Sequence, residues 1–144
     1  MKKPKEIKNE KELLNDLAEN YMSDGQLLFF KKKLEALAKE LLNNADETTE
    51  HLRKSTIVPD PADRASIEEE HSLELRTRDR ERKLLKKIQQ ALGRITNKEY
   101  GFCEETGEPI GLERLLARPT ATLSLEAQQR REIRQRQFGE GSKR

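Results

Sequence analysis

Leu27, Phe30, Leu34, Leu37, Leu41, Ala45, Thr48 and Leu52 recur at spacings of three and four, separated by charged residues such as Lys31, Lys32, Lys39 and Glu40. That spacing places the apolar side chains on one stripe of a helix, a heptad-like seam with one residue of slippage between Leu41 and Ala45. Ser23 stands just ahead of the seam, where its hydroxyl can accept a hydrogen bond from the first helical turn. The pattern stops at "STIVPDPADR", because Pro59 and Pro61 cannot occupy a helix interior. A second helix is predicted to start there, with Asp60 as N-cap, Pro61 as first residue and Asp63 as an acid in the first turn. It should run to about Asn97, with Ile67 and Leu73 apolar near the tip and Leu84, Ile88, Ala91, Leu92 and Ile95 apolar at the far end. Two long helices joined by a short loop lie antiparallel, and 1.5 Å per residue makes an arm of roughly 45 Å. Such an arm is too thin for a ligand pocket and reads as a probe or a spacer.

The flanks differ. Residues 1–20 are rich in lysine and are expected to form a flexible tail, with at most a frayed turn at Leu13, Leu14 and Leu17. Residues 98–123 hold glycines, prolines and aromatics, which predicts a turn-rich lobe. Its expected mini-core is Phe102, Ile110, Leu112, Leu115, Leu116, Leu123, Leu125 and Ile133. "SLEAQQRREIRQRQF" reads as a final helix capped by Ser124, with arginines toward the end that the helix dipole favours for cations. The expected fold is mainly α, a long antiparallel two-helix coiled coil plus a small globular lobe and a C-terminal helix. The expected organisation is a tail over 1–20, a lobe from 21–33 and 93–123, a hairpin over 34–92 with its tip near 56–65, and a C-terminal helix and tail over 124–144.

Composition narrows the function. Charged residues make up 39% of the 144 and hydrophobic ones only 33%, which fits long solvated helices better than a large core. The 29 basic and 27 acidic residues nearly cancel, unlike a domain that binds nucleic acid by neutralising phosphates. One cysteine excludes an internal disulfide, no segment resembles a signal peptide, and no apolar run approaches the ~20 residues of a membrane span. A cytoplasmic setting is the expectation.

"CEETG" at 103–107 has the look of half a zinc knuckle. Structural zinc needs four ligands, usually as two C-x-x-C pairs. Here the partner of Cys103 is Thr106, the second pair would be Ser124 and Ala127, and the two histidines, His51 and His71, belong to the hairpin. No bound metal is expected, and no histidine is placed to activate Cys103 as a nucleophile. Phosphate loops, nucleophile elbows and metalloprotease motifs are absent, so no enzyme is expected. "RTRDRERKLLKK" suits a solvated face laced with ion pairs, or a nucleic-acid patch. Asp60 and Asp63 suit a helix start, or a pair of carboxylates presented at the far end of an arm.

"DPADRASIEEEHSLELRTRDRERKLLKKI" followed by "YGFCEETGEPIGLERLLARPTA" closely resembles the DksA/TraR family of bacterial regulators, over roughly residues 20–138. The resemblance implies a coiled coil with an acidic tip that enters the secondary channel of RNA polymerase while the lobe docks at its rim. It implies altered stability of initiation complexes, together with the alarmone ppGpp, in the stringent starvation response. Asp60, Asp63 and Ala65 match the family's tip, Arg76 and Arg80 match residues implicated in polymerase contact, and Leu84, Lys87 and Arg118 match the ppGpp site at the polymerase interface. Gln128 stands where that site has a lysine, and Cys103, Thr106, Ser124 and Ala127 stand at the family's zinc-cysteine positions, which places the chain with a cysteine-poor, zinc-independent branch. The implied partners are RNA polymerase and ppGpp, with a monomeric chain, no direct sequence-specific DNA binding and no membrane. A transcript-cleavage accessory factor and a DNA-binding finger protein are the rival readings.

Overall fold

The seam from Leu27 onward forms one helix. In the computed structural model, which describes residues 6–54 and 61–142, helix α2 runs Asp24–Lys54. Ser23 starts it as expected, its Oγ accepting from the Gln26 N–H at 3.4 Å. The Gln26 side chain reaches back and accepts from the Met22 N–H at 3.0 Å, a variant of the reciprocal capping box. Helix α3 spans Pro61–Thr96 with Asp63 in its first turn; Asp60 lies outside the described residues. The helix stops one residue short of the expected Asn97. Beyond it the Arg94 carbonyl accepts from the N–H groups of Glu99 and Tyr100, and Lys98 turns the chain at φ 60°.

The residues divide into two compact units, one made of Met1–Lys33 with Ala91–Arg144 and one made of Leu34–Gln90. In the second unit the two long helices pack together as an antiparallel hairpin. Leu34, Leu41 and Ile88 are buried in it, and Leu37, Ala45, Ile67 and Leu84 are half-buried. Leu73 is not part of the seam and is 60% exposed. The seam of α3 instead passes through Ile67, His71, Glu74, Glu81, Leu85 and Ile88, so its middle is built from half-buried polar side chains. Leu73 falls between those positions and faces water.

The first unit is a lobe. Helix α1 (Glu10–Leu14) is capped by Asn9, whose side chain accepts from the Glu12 N–H at 2.8 Å. The stretch expected to be a tail with a frayed turn therefore contains a capped helix, because Leu13 is fully buried and α1 packs against α4 (Leu112–Ala117). Lys33 bridges the same elements, its Nζ 3.1 Å from Glu10 and 3.4 Å from the Leu116 carbonyl. Leu14 and Leu17 remain exposed. A 3-10 turn over Ala18–Asn20 leads into α2, held by the Asp16 carboxylate, which accepts from Asn20 at 2.8 Å and Gln26 at 3.1 Å.

Ile110, Leu115 and Leu123 join the lobe core as expected, but Leu125 and Ile133 do not. Helix α5 (Leu125–Ser142) buries Ala127, and its next turns are exposed, so both large side chains stand in water. The core holds instead Phe30 and Tyr100, whose rings lie 5.5 Å apart, and Cys103. Among the described residues there is no strand, only an isolated bridge between Phe102 and Pro109.

Candidate functional site

On the hairpin, α3 divides by charge. From Asp63 to Glu74 it carries Glu68, Glu69 and Glu70 against the single base Arg64, whereas from Arg76 to Lys87 bases dominate. Asp63 and Ala65 are exposed near the start of the helix. Arg76 and Arg80, one turn apart, are exposed and engaged by no other described residue. Their neighbours differ. Arg82 and Lys83 clasp Asp79 at 2.9 and 3.1 Å, and the Lys83 ammonium, then Arg82, holds that carboxyl below its usual range. Arg78, Lys86 and Lys87 are exposed on the same stretch, so Arg76 and Arg80 are two of several bases there outside the Asp79 cluster. Leu84 is half-buried and Lys87 exposed on the same helix.

Arg118 and Gln128 belong to the lobe. Arg118 ends α4, donating its backbone N–H to the Arg114 carbonyl at 2.7 Å, while its exposed side chain borders an open groove of about 930 Å³. Leu14, Tyr21, Leu112, Ala117 and Leu125 line much of that groove, which brings together segments far apart in the chain and so has no local sequence signal. Gln128 is half-buried and donates to Glu132 at 3.1 Å along α5. Leu84 and Lys87 lie in one compact unit, Arg118 and Gln128 in the other.

The knuckle is a tight loop. The Cys103 N–H donates to the Glu108 carbonyl at 2.8 Å, the Gly107 N–H returns to the Cys103 carbonyl at 2.9 Å, and Gly107 holds φ at 75°, where a side chain would be strained. Its four finger positions do not suit zinc. Ala127 is fully buried and offers a methyl group, with no lone pair. Ser124 caps α5 by accepting from the Ala127 N–H at 3.3 Å, and the Thr106 hydroxyl accepts from the Glu108 N–H at 3.3 Å. Among the described residues no group of three His, Cys, Asp or Glu could hold a metal ion.

The sulfur gathers donors instead. Burial pushes the Cys103 thiol up, but the Thr106 hydroxyl and the N–H groups of Ser124, Thr106 and Glu105 outweigh it and bring it down to about 6. Between that value and the ordinary 9.0, the folded chain binds fewer protons than the unfolded one. Stability from this group therefore rises with pH across that window and is lost as pH falls through about 6. The melting temperature of the native chain is expected to climb from acid to alkaline pH across the window more than that of Cys103→Ser. Parallel melting curves for the two proteins would show that the thiolate adds nothing.

Two family models match the chain: the N-terminal domain of DnaK suppressor protein DksA over residues 26–95, and the prokaryotic dksA/traR C4-type zinc finger over residues 98–132. The chain is 59% identical over 119 residues to the RNA polymerase-binding transcription factor DksA of Caulobacter vibrioides, covering 82% of this chain and 84% of that protein. It is 47% identical over 121 residues to the protein of that name in Escherichia coli K12, covering 83% and 80% of the two. Its fold matches the solved structure of transcription factor DksA2 from Pseudomonas aeruginosa with a TM-score of 0.80 and 46% identity, over 89% of this chain and 99% of that one. The finger model matches although the C4 ligand set that names it is reduced to one cysteine. With two family models side by side and relatives this similar over four fifths of its length, the chain belongs to the DksA/TraR family.

Proposed function

We propose that the chain regulates transcription by binding bacterial RNA polymerase through its secondary channel, altering the stability of initiation complexes together with ppGpp in the stringent response. The observation that carries the reading is the hairpin helix α3, with exposed Asp63 and Ala65 near its start and unengaged Arg76 and Arg80 farther along, in a chain whose relatives are named RNA polymerase-binding transcription factors. In this reading the lobe docks at the channel rim, the hairpin enters, and Asp60, Asp63 and Ala65 act near the active centre. The chain does no chemistry of its own and works in the cytoplasm as a monomer, without reading DNA sequence. No helix among the described residues is long and apolar enough to cross a membrane.

Co-purification with RNA polymerase, followed by run-off transcription from a stable-RNA promoter with and without ppGpp, tests it. Retention of polymerase and ppGpp-enhanced inhibition are expected; no binding overturns the proposal. Cleavage of the transcript in backtracked complexes would favour the accessory-factor reading, in which the same carboxylates assist hydrolysis.

Gln128 sets a second expectation. Lys87 and Arg118 supply cations for a tetraphosphate ligand, and each further cation strengthens such binding through charge-assisted hydrogen bonds. Gln128→Lys is expected to lower the ppGpp concentration for half-maximal inhibition several-fold. An unchanged midpoint would mean that position 128 does not face the ligand.

A further inference from the structure

Three leucines on the hairpin stand in water. Leu42 on α2 is 53% exposed, and Leu73 and Leu75 on α3 are 60% and 52% exposed. A single exposed leucine needs no explanation, since folded surfaces carry many apolar atoms. These three, however, are the large hydrophobic side chains exposed on the hairpin among the described residues, and they stand at one height. Leu42 lies twelve residues before the end of α2 at Lys54, and Leu73 lies twelve after the start of α3 at Pro61. In an antiparallel pair both are therefore about 18 Å from the helix ends nearest the tip, at 1.5 Å per residue.

Within the same turns the seam is polar. His71 and Glu74 are half-buried, while the leucines on either side of Glu74 face out. Leu73 and Leu75 each point about 100° away from Glu74 around the helix axis, toward opposite flanks of the hairpin. Arg76 and Arg80 follow Leu73 at three and seven residues, on its side of the helix. Leu75 borders a recess of about 310 Å³ with Arg78, Asp79 and Arg82. The leucines also mark the point where α3 passes from acidic to basic, between Glu74 and Arg76. Polar side chains turned in and leucines turned out break the local rules of folding, and such breaks gather at functional sites. A partner with a flat surface covers one flank. Apolar side chains on both flanks at one height suit a partner that closes around the arm.

We infer that Leu42, Leu73 and Leu75 form an apolar belt on the arm that is buried against the wall of the RNA polymerase channel, adding to the affinity that Arg76, Arg80 and the lobe supply. The belt rests on the channel reading proposed above. Its contribution differs in kind from that of the arginines, because burial of apolar surface is not screened by salt whereas exposed charge pairs are.

The test uses the full-length chain and competitive binding to RNA polymerase. Leu73→Gln with Leu75→Gln keeps good helix formers at exposed positions, so the melting temperature and the far-ultraviolet helical signal should stay those of the native chain. Affinity for polymerase is expected to fall about tenfold or more, through the loss of two buried apolar side chains. That loss should be equal at low and raised salt, whereas the loss from Arg76→Gln with Arg80→Gln should shrink as salt rises. Leu42→Gln, Leu73→Gln and Leu75→Gln should each weaken binding alone, since the wall meets both flanks and both helices. Saturating amounts of the glutamine pair should still shorten open-complex lifetime, because Asp60 and Asp63 are untouched. Leu73→Met with Leu75→Met keeps the apolar bulk and should bind within about threefold of the native chain. Should the glutamines unfold the hairpin, Leu73→Ala with Leu75→Ala supplies the comparison. Native affinity in the polar or truncated pair overturns the belt and leaves the channel reading standing. So does loss confined to one of the three single variants, as a flat partner would give, or a native dimer that the glutamine pair turns into monomers. A native chain that does not bind polymerase overturns both.

Discussion

Phe30→Ala is expected to remove roughly a fifth or more of the lobe's stability. Phe30 is fully buried, with Phe29 edge-on at 5.5 Å on one side and Tyr100 at 5.5 Å on the other. Truncating a buried phenylalanine costs about 3–5 kcal/mol through lost transfer energy and the cavity left behind. A domain of this size has only about 5–15 kcal/mol in total. Tyr100→Phe keeps the ring and should cost less, about 1–3 kcal/mol, because the Pro119 carbonyl then loses the hydroxyl that donates to it at 2.6 Å. Phe138→Ala is the control: at 76% exposed, its ring has little burial to lose. Urea unfolding followed by tyrosine fluorescence measures all three. A change below about 1 kcal/mol for Phe30→Ala, against the 3–5 expected of a buried ring, would show that the aromatic cluster is not the centre of the lobe.

That cluster also marks where the sequence stopped being legible. Local rules found the helices, since Ser23, Pro61 and Ser124 start elements through short-range chemistry that a single chain reveals. They failed where an assignment needed a partner far along the chain. Tyr21 bonds across 80 and 90 positions to Gly101 and Gly111, and no periodicity encodes such a bond. The available signal was compositional, a second tyrosine beside the lobe's first helix and glycines at both ends of the knuckle. The middle of α3 is obscure for a different reason: its seam is polar, with His71, Glu74 and Glu81 half-buried, so apolar spacing does not trace it and leaves an apolar residue such as Leu73 in water. Leu125 and Ile133 read as core by hydrophobicity alone, whereas an arginine-rich helix with one small buried residue, Ala127, needs neither. The candidate site was legible mainly through likeness. Two long unbroken stretches identified the family, while chemistry alone left the aspartates divided between helix capping and function.

Asp60→Asn/Asp63→Asn is expected to separate those two roles. As helix starters the aspartates should tolerate the change, because Asn is a good N-cap and an acid in the first turn adds only a modest dipole effect. Together the two contributions amount to about 1 kcal/mol, in a hairpin whose buried seam includes Leu34, Leu41 and Ile88. The double variant should therefore fold and still compete for the polymerase channel, since in the proposed reading affinity comes from Arg76, Arg80 and the lobe. Its effect should disappear. Charge at the tip is what a metal-bearing active centre and its basic residues respond to, and a neutral amide of the same shape removes it without altering packing. The measurement pairs competitive binding to polymerase with open-complex lifetime on a stable-RNA promoter. Normal binding with a lifetime restored to that of polymerase alone is the expected result. A double variant that binds normally and still shortens the lifetime would return both aspartates to the role of helix starters.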